Sequence, residues 1–133
     1  MHSRFLLFAL SGLATLFSVG CGNGDPIEPT LTSIHDKIIQ RSCNSEACHG
    51  GSIPEGDLDL STVESSYVGL VGHPSDVEPS FTRVVAGDPD NSLLYMVLLG
   101  PVGSLDQMPP GFELAADEVE AVRQWIEDGA ENN

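Results

Sequence analysis

One short stretch restricts the fold of this chain more than any other: Cys43 is followed by four residues, then by Cys48 and directly by His49. Two thiols can add across the two vinyl groups of a haem, and a histidine beside the second thioether is delivered to the iron as an axial ligand. The usual spacer has two residues; four residues only add slack between two points that the macrocycle fixes. The stretch therefore predicts covalent haem attachment through Cys43 and Cys48, with His49 as an iron ligand.

Other uses of this cysteine pair stay open. Three cysteines are present, and in an oxidising compartment Cys43 and Cys48 could form a small disulfide loop. A disulfide accounts for the pair but not for the adjacent His49. Zinc fits less well, because no second cysteine pair is available to complete a tetrahedral site.

The first residues have the pattern of an export signal. Arg4 lies in a basic start, an apolar run covers 5–17, and small residues precede Cys21. The run is too short for a comfortable transmembrane helix, and Cys21 stands where a lipoprotein signal places its lipidated cysteine. We therefore expect a signal peptide at 1–20, a lipidated Gly/Pro-rich tether at 21–31 and one domain at 32–133 outside the cytoplasm; simple cleavage or an uncleaved anchor are the alternatives to lipidation at Cys21.

Charge excludes one class of partner. The formal net charge is -15, and the first twenty residues contain no acidic side chain, so the exported part is more acidic still. A field of this sign repels nucleic acid. It suits either plain solubility or the attraction of a partner with basic patches.

Helical periodicity dominates, and no run alternates over the length of a strand. In the last predicted helix Trp125 and Ile126 belong to an apolar face, and Gly129 follows as a terminator. Asp88 and Pro89 are expected to cap and begin another helix. These patterns predict an all-α fold with long loops. The predicted helices cover about 33–41, 63 to between 69 and 72, 88–99 and 116–128.

The first predicted helix leads straight into the cysteine motif. Thr32 or Ser33 is its expected N-cap. Ile34 and Ile38 share the buried face, so His35 is expected to lie opposite that face, in solvent.

A second iron ligand is predicted at Met108, in the sequence Met-Pro-Pro-Gly between the last two helices. A methionine on a proline-stiffened loop is poorly placed for ordinary core packing. Its thioether is a soft, neutral ligand that raises the potential of a haem whose other ligand is histidine. His73, in a His-Pro loop, is the rival ligand, whereas Met96 is expected to pack in the core of its helix.

The haem motif and Met108 stand among short sequence pieces that occur in a characteristic order. These pieces are 43–50, 58–61, 70–72, 83–84, 87–95, 108–111 and 122–130. Together they cover nearly all of the predicted domain, which resembles the class I mono-haem c-type cytochromes, in particular bacterial exported lipoprotein-like cytochrome c domains with wide cysteine spacing. The resemblance implies a small helical fold wrapped around one covalent haem c, with a first and a last helix that cross.

The resemblance also implies the roles of single residues: thioether bonds from Cys43 and Cys48, His49 as proximal ligand and Met108 as distal ligand. Two features depart from the family pattern. Ala115 stands where such proteins often place a Ser or Thr cap, and the chain lacks the lysine ring of mitochondrial relatives. The second departure leaves the identity of the partner open.

Several further residues have two interpretations each. Arg83 is expected either to pair with a haem propionate or to lie on the surface. Trp125 and Tyr95 are expected to pack against haem or at the helix crossing. Tyr67 either bonds a propionate or the ligand sulfur, or is simply buried with its helix.

The expected function is one-electron transfer, without an enzyme activity, by a protein exported to the periplasm or cell surface of a bacterium. Two alternatives remain. One is a haem sensor or peroxidase-like protein in which Met108 dissociates; the other is a haem-free lipoprotein with a disulfide between Cys43 and Cys48 that acts as a binding module. Redox proteins with basic patches are the expected partners, and the oligomeric state is left open.

Overall fold

Four helices connected by long loops make up the structure, a computed structural model that describes residues 25–133. We label them α1 (31–42), α2 (Val63–Leu70), α3 (Leu93–Leu99) and α4 (Ala116–Glu127). Two 3-10 turns, Glu55–Asp57 and Pro89–Asn91, lie in the loops. Across 25–133 there are isolated β-bridges but no strands, which confirms the all-α prediction at this level. The predicted signal peptide, Cys21 and the start of the tether lie outside the described residues.

Within residues 25–133, no helix has the length and apolar character needed to span a bilayer.

The first helix starts earlier than the sequence pattern predicts. Thr30, not Thr32 or Ser33, is the N-cap: its side chain accepts a hydrogen bond from the backbone N–H of Ser33 at 3.2 Å. Leu31 is completely buried, so the apolar face extends one turn further back. Asn133 supplies another acceptor, since its carbonyl oxygen lies 2.8 Å from the N–H of Thr32. The last residues of the chain therefore pack against the beginning of α1.

A π-turn occupies the middle of α1. The helix is α-helical over Leu31–Ile34, π-helical over His35–Ile39 and α-helical again over Gln40–Ser42. The wider turn rotates the side chains that follow it relative to an uninterrupted α-helix. His35 is buried, with 4% of its surface exposed, so the prediction that it lies in solvent is wrong.

The helix predicted from Asp88 is two elements. Asp88 caps the 3-10 turn Pro89–Asn91, and α3 begins only at Leu93. Between them, Ser92 is fully buried with an extended backbone. Its hydroxyl accepts from the N–H of Val85 at 2.8 Å and donates to the carbonyl oxygen of Asp88 at 2.8 Å. These hydrogen bonds stabilise the extended backbone of Ser92 between the 3-10 turn and α3.

The other two helices lie where their patterns predict. α2 has a complete capping box, in which Thr62 and Ser65 each accept a hydrogen bond from the other's backbone N–H. In α4, Trp125 and Ile126 are buried, and Gly129 follows with a φ of 110°.

The core is formed mainly by α1 and α4, which contact each other; α1 also contacts α2, and α4 contacts α3. Trp125 is 1% exposed, and its indole N–H donates to the carbonyl oxygen of Glu131 at 2.9 Å. Each large side chain buried in this way contributes roughly 1.5–3 kcal/mol. The first and last helices therefore contact each other. The most buried apolar residues of the core are Leu31, Ile34, Ile38, Leu70, Val84, Trp125 and Ile126.

Candidate haem-attachment site

Cys43 is fixed by the end of α1. The backbone N–H groups of Cys43 and Asn44 both donate to the carbonyl oxygen of Ile39, at 2.9 and 3.0 Å. Cys43 is half-buried and packs against the hydrophobic core. Burial raises the pKa of its thiol to about 11, and the neighbouring Cys48 and Glu118 add to the rise. This thiol is therefore protonated at neutral pH.

The four-residue spacer folds into a turn that returns the chain to its start. The N–H of His49 donates to the carbonyl oxygen of Cys43 at 3.2 Å, and the N–H of Cys48 donates to that of Ser45 at 2.9 Å. Residues 45–47 are exposed, whereas Cys43, Cys48 and His49 are half-buried. The two sulfur atoms are not joined. Residues 45–47 of the spacer therefore face solvent. Cys43, Cys48 and His49 lie together in one loop.

Two glycines let the spacer close. A Cβ atom at Gly50 would collide with the Asn44 side chain and lie 2.6 Å from the Asn44 carbonyl oxygen. At Gly51 it would collide with the carbonyl oxygen of Glu46. The backbone of the spacer therefore packs directly against this glycine pair.

The ring of His49 is oriented by one hydrogen bond. Its Nδ1 lies 3.2 Å from the carbonyl oxygen of Leu58. Because a carbonyl oxygen can only accept, we assign the ring proton to Nδ1, which leaves Nε2 as the nitrogen available to a metal. Burial lowers the pKa of His49, and the charge of Arg83 lowers it further, while the backbone carbonyls of Leu58 and Glu55 oppose the shift. A neutral, held imidazole is the form in which histidine binds metals.

Arg83 holds the loop that provides this acceptor. It is 5% exposed and donates to the carbonyl oxygens of Gly56 at 2.7 Å and of Gly69 at 2.9 Å. Its guanidinium also pairs with Asp76 at 2.7 Å. The sequence-based alternative that Arg83 lies on the surface is wrong. Arg83 instead ties the end of α2 to the 3-10 turn just before Leu58.

A second ion pair connects α1 to α4 beside the cysteine motif. Arg41 pairs with Glu118, which is almost buried. The other carboxylate oxygen of Glu118 accepts from the N–H of Ala115 at 2.8 Å. Ala115 has no side-chain acceptor of its own, so Glu118 compensates for half of the missing cap at the start of α4.

Met108 is positioned by α3. Its backbone N–H donates to the carbonyl oxygen of Val97 at 2.8 Å, and the side chain of Gln107 donates to that of Leu98 at 3.1 Å. Met108 is half-buried and Pro109 is buried. In the described part of the chain, no hydrogen bond joins Met108 to the 43–49 loop, so its role as a ligand stays a prediction from the sequence.

The rival ligands differ in their surroundings. His73 is exposed, and its Nδ1 lies 3.0 Å from the carbonyl oxygen of Pro74. Met96 is half-buried on α3 and does not belong to the hydrophobic core, so the expectation that it packs in the core is not met. Tyr67 and Tyr95 are partly buried against the core.

The residues present fit a covalently bound haem. Cys43 and Cys48 are unjoined thiols in one loop, and His49 keeps Nε2 for a metal. Within residues 25–133 no three His, Cys, Asp or Glu side chains cluster as a metal site of their own, and a His/Met ligand pair requires no such cluster.

Sequence reasoning missed the role of the Leu58 carbonyl oxygen and the structural role of Arg83. Segment 58–61 is one of the sequence pieces on which the family resemblance rests. The hydrogen bond that the Leu58 carbonyl oxygen accepts from His49 involves the backbone, so the identity of the Leu58 side chain does not reveal it. Arg83 is one of only four basic residues after Arg4, and this scarcity is the signal that could have marked it as structural.

Comparison with known proteins adds no relative, since no family model, no curated protein and no solved structure matches this chain.

Proposed function

We propose that this chain is an exported class I c-type cytochrome that carries single electrons on one covalently bound haem c. Cys43 and Cys48 would hold the haem through thioether bonds, each thiol adding across one vinyl double bond. His49 and Met108 would hold the iron. The resemblance of the ordered sequence pieces to this family supports the proposal, and the helical fold with long loops is compatible with it.

The observation that carries the proposal is the state of His49. Its Nδ1 proton is engaged by Leu58 at 3.2 Å, and its pKa is lowered by burial. A disulfide between Cys43 and Cys48 would need neither feature. Both suit an iron ligand, whose second nitrogen must be free and unprotonated.

The haem, when bound, supplies a reversible one-electron change at iron. The chain contributes the environment of that change: Cys43 and Cys48 anchor the group, and Leu58 fixes the ring of His49. Met108 adds a soft sulfur ligand, which favours the reduced state. Because His49 and Met108 would both hold the iron, substrates would be kept from it, and no enzyme activity is proposed.

The decisive experiment is a pyridine haemochrome spectrum of the exported protein after acid-acetone extraction. We expect haem to remain with the wild-type chain and to be lost from the double variant Cys43→Ala, Cys48→Ala. The variant Ser45→Ala, in the exposed spacer, is the matched control and keeps its haem. A colourless wild-type protein with a disulfide between Cys43 and Cys48 would rule out the electron carrier. It would favour the alternative of a haem-free, disulfide-linked binding module.

Location and partner form part of the same proposal. The pattern at 1–20 supports export, and Cys21 would carry a lipid that anchors the protein to a bacterial membrane. The net charge of -15 favours redox partners with basic patches, so association should weaken as salt screens the charges. Electron-transfer rates that do not change with ionic strength would contradict this choice of partner.

A further inference from the structure

The π-turn of α1 brings two polar side chains together. The backbone N–H of Gln40 donates to the carbonyl oxygen of His35, the five-residue spacing that defines such a turn. In a regular α-helix, side chains five residues apart point about 140° away from each other. In the π-turn they share a face, and Nε2 of Gln40 lies 3.3 Å from Nε2 of His35.

Both side chains hold the backbone of one loop segment. Nε2 of His35 lies 3.2 Å from the carbonyl oxygen of Leu60, so this nitrogen carries the proton and donates. It therefore cannot accept from the Gln40 amide, and the approach of these two nitrogens is a contact, not a hydrogen bond. The side-chain amide of Gln40 donates to the carbonyl oxygen of Ser61 at 3.3 Å and accepts from the amide of Asn44 at 3.1 Å. Two consecutive carbonyl groups are thus fixed to α1.

The same segment holds His49 at two points. The N–H of Leu60 donates to the carbonyl oxygen of His49 at 2.8 Å. Two residues earlier, the carbonyl oxygen of Leu58 accepts from the ring of His49 at 3.2 Å. A chain of hydrogen bonds therefore runs from His35 and Gln40, through the segment, to both the backbone and the ring of His49.

We propose that His35 and Gln40 are positioning residues for His49: they fix segment 58–61 and, through it, the orientation and tautomer of the His49 ring. This deepens the proposed function, on which it rests for the meaning of His49 as a ligand. It also gives a reason for the π-turn, an irregularity that is frequent at functional sites. Without that turn, Gln40 would point away from His35.

The test is two-bond ¹H–¹⁵N NMR of the histidine rings in the full chain, recorded in the reduced, diamagnetic state where haem is bound. We expect wild-type His49 to be a single Nδ1–H tautomer. In the haem-free chain, His35→Leu and Gln40→Ala should shift its ring signals towards a tautomer mixture. Where haem is bound, Nε2 is on the iron and the ring proton stays on Nδ1, so the same variants should instead move the Nδ1–H signal, because its hydrogen bond to Leu58 weakens. His35→Gln, which keeps a donor at a similar reach, should restore the wild-type signals, and Gln124→Ala on α4 is the matched control that leaves them unchanged.

A second measurement separates positioning from mere folding stability. A weaker Nδ1 hydrogen bond makes the imidazole less basic, so the reduction potential of the haem protein should rise in His35→Leu and return in His35→Gln. Unchanged His49 ring signals in folded His35→Leu would overturn the proposal. If that variant does not fold, Gln40→Ala decides in the same way, because Gln40 is exposed.

Failure of this inference is distinct from failure of the proposed function. A colourless wild-type chain would remove the haem carrier, while the ring signals of His49 would still report in the haem-free protein whether His35 and Gln40 set its tautomer.

Discussion

Glu78 forms two hydrogen bonds with Ser104: its Oε1 atom accepts from both the backbone N–H and the hydroxyl of Ser104, each at 2.5 Å. A Cβ atom at Gly103, where φ is 59°, would lie 2.7 Å from the Glu78 carboxyl carbon. The contact joins the loop before Arg83 to the loop that carries Met108. A surface carboxylate thus restrains the loop of the second proposed ligand.

The hydrogen bonds between Glu78 and Ser104 should depend on pH, which is the first prediction. The hydrogen bonds from Ser104 lower the pKa of Glu78. A carboxyl whose pKa is lowered by folding contributes stability above its unfolded pKa, about 4.3, and loses it as the pH falls through the folded value. We therefore expect the N–H of Ser104 to be protected from hydrogen exchange at neutral pH and to lose protection in acid. Gln keeps a neutral acceptor at this position, so in Glu78→Gln the protection should be weaker than in the wild type and should not depend on the titration of this side chain.

Glu113→Gln is the control for that measurement, because Glu113 is exposed on the same long loop. Equal protection of Ser104 in both variants would show that Glu78 does not restrain the loop.

The second prediction distinguishes the two candidate sixth ligands. Met108→Ala should convert a low-spin haem spectrum to a high-spin one, because it removes the sulfur ligand. His73→Ala should leave the spectrum unchanged, since His73 is exposed and hydrogen-bonded to Pro74. Visible and EPR spectra of the purified proteins provide the readout.

The opposite pattern, with loss of the low-spin form only in His73→Ala, would assign the ligand to His73. A five-coordinate ferrous wild type would instead favour the sensor or peroxidase-like alternative, in which Met108 dissociates.

The third prediction is that Arg83 contributes far more to stability than a surface arginine. Arg83→Met leaves the carbonyl groups of Gly56 and Gly69 without their donor, which should lower the free energy of unfolding by about 3 kcal/mol. Arg123→Met is the matched control. Arg123 pairs with Glu120 and Glu127 along the more exposed side of α4, and its loss should cost less than ~1 kcal/mol. Equal losses in urea unfolding would contradict the structural role of Arg83.

The fourth prediction tests the packing of the spacer. Gly50→Ala forces a Cβ atom into Asn44, and we expect the free energy of unfolding to fall by roughly 1–3 kcal/mol. Gly100→Ala should change it by less than about 0.5 kcal/mol. At Gly100 a Cβ atom meets nothing within 4 Å, and the backbone is extended. Denaturant midpoints that move equally would show that the spacer does not pack against Gly50.

The sequence predicted those elements whose signals are local. α4 lies at Ala116–Glu127 against a predicted 116–128, because an apolar face and Gly129 both mark it. α2 follows its pattern in the same way. The extra residue in the π-turn of α1 could not be read from a 3.6-residue period. His35 is buried because, at 100° per residue, it falls between Leu31 and Ile39 on the apolar face of the helix.

In the site, too, residues with a local sequence signal could be predicted, whereas contacts between distant residues could not. Cys43, Cys48 and His49 were predicted from their spacing and do form one loop. Leu58 takes part only through its backbone carbonyl, which every residue has, so its hydrogen bond with His49 cannot be read from a local pattern of side chains. Arg83 is buried because three distant backbone oxygens converge on it, and this too appears only in three dimensions.

The contact between the spacer and the glycine pair links two features that would otherwise vary separately over evolution. The carbonyl oxygen of Glu46, which lies within the lengthened spacer, is the atom that leaves no room for a side chain at Gly51. A descendant that shortened the spacer would lose that constraint, and position 51 would be free to drift to larger residues. Spacer length and the identity of residue 51 are therefore coupled by packing, because a spacer that follows this path requires glycine there.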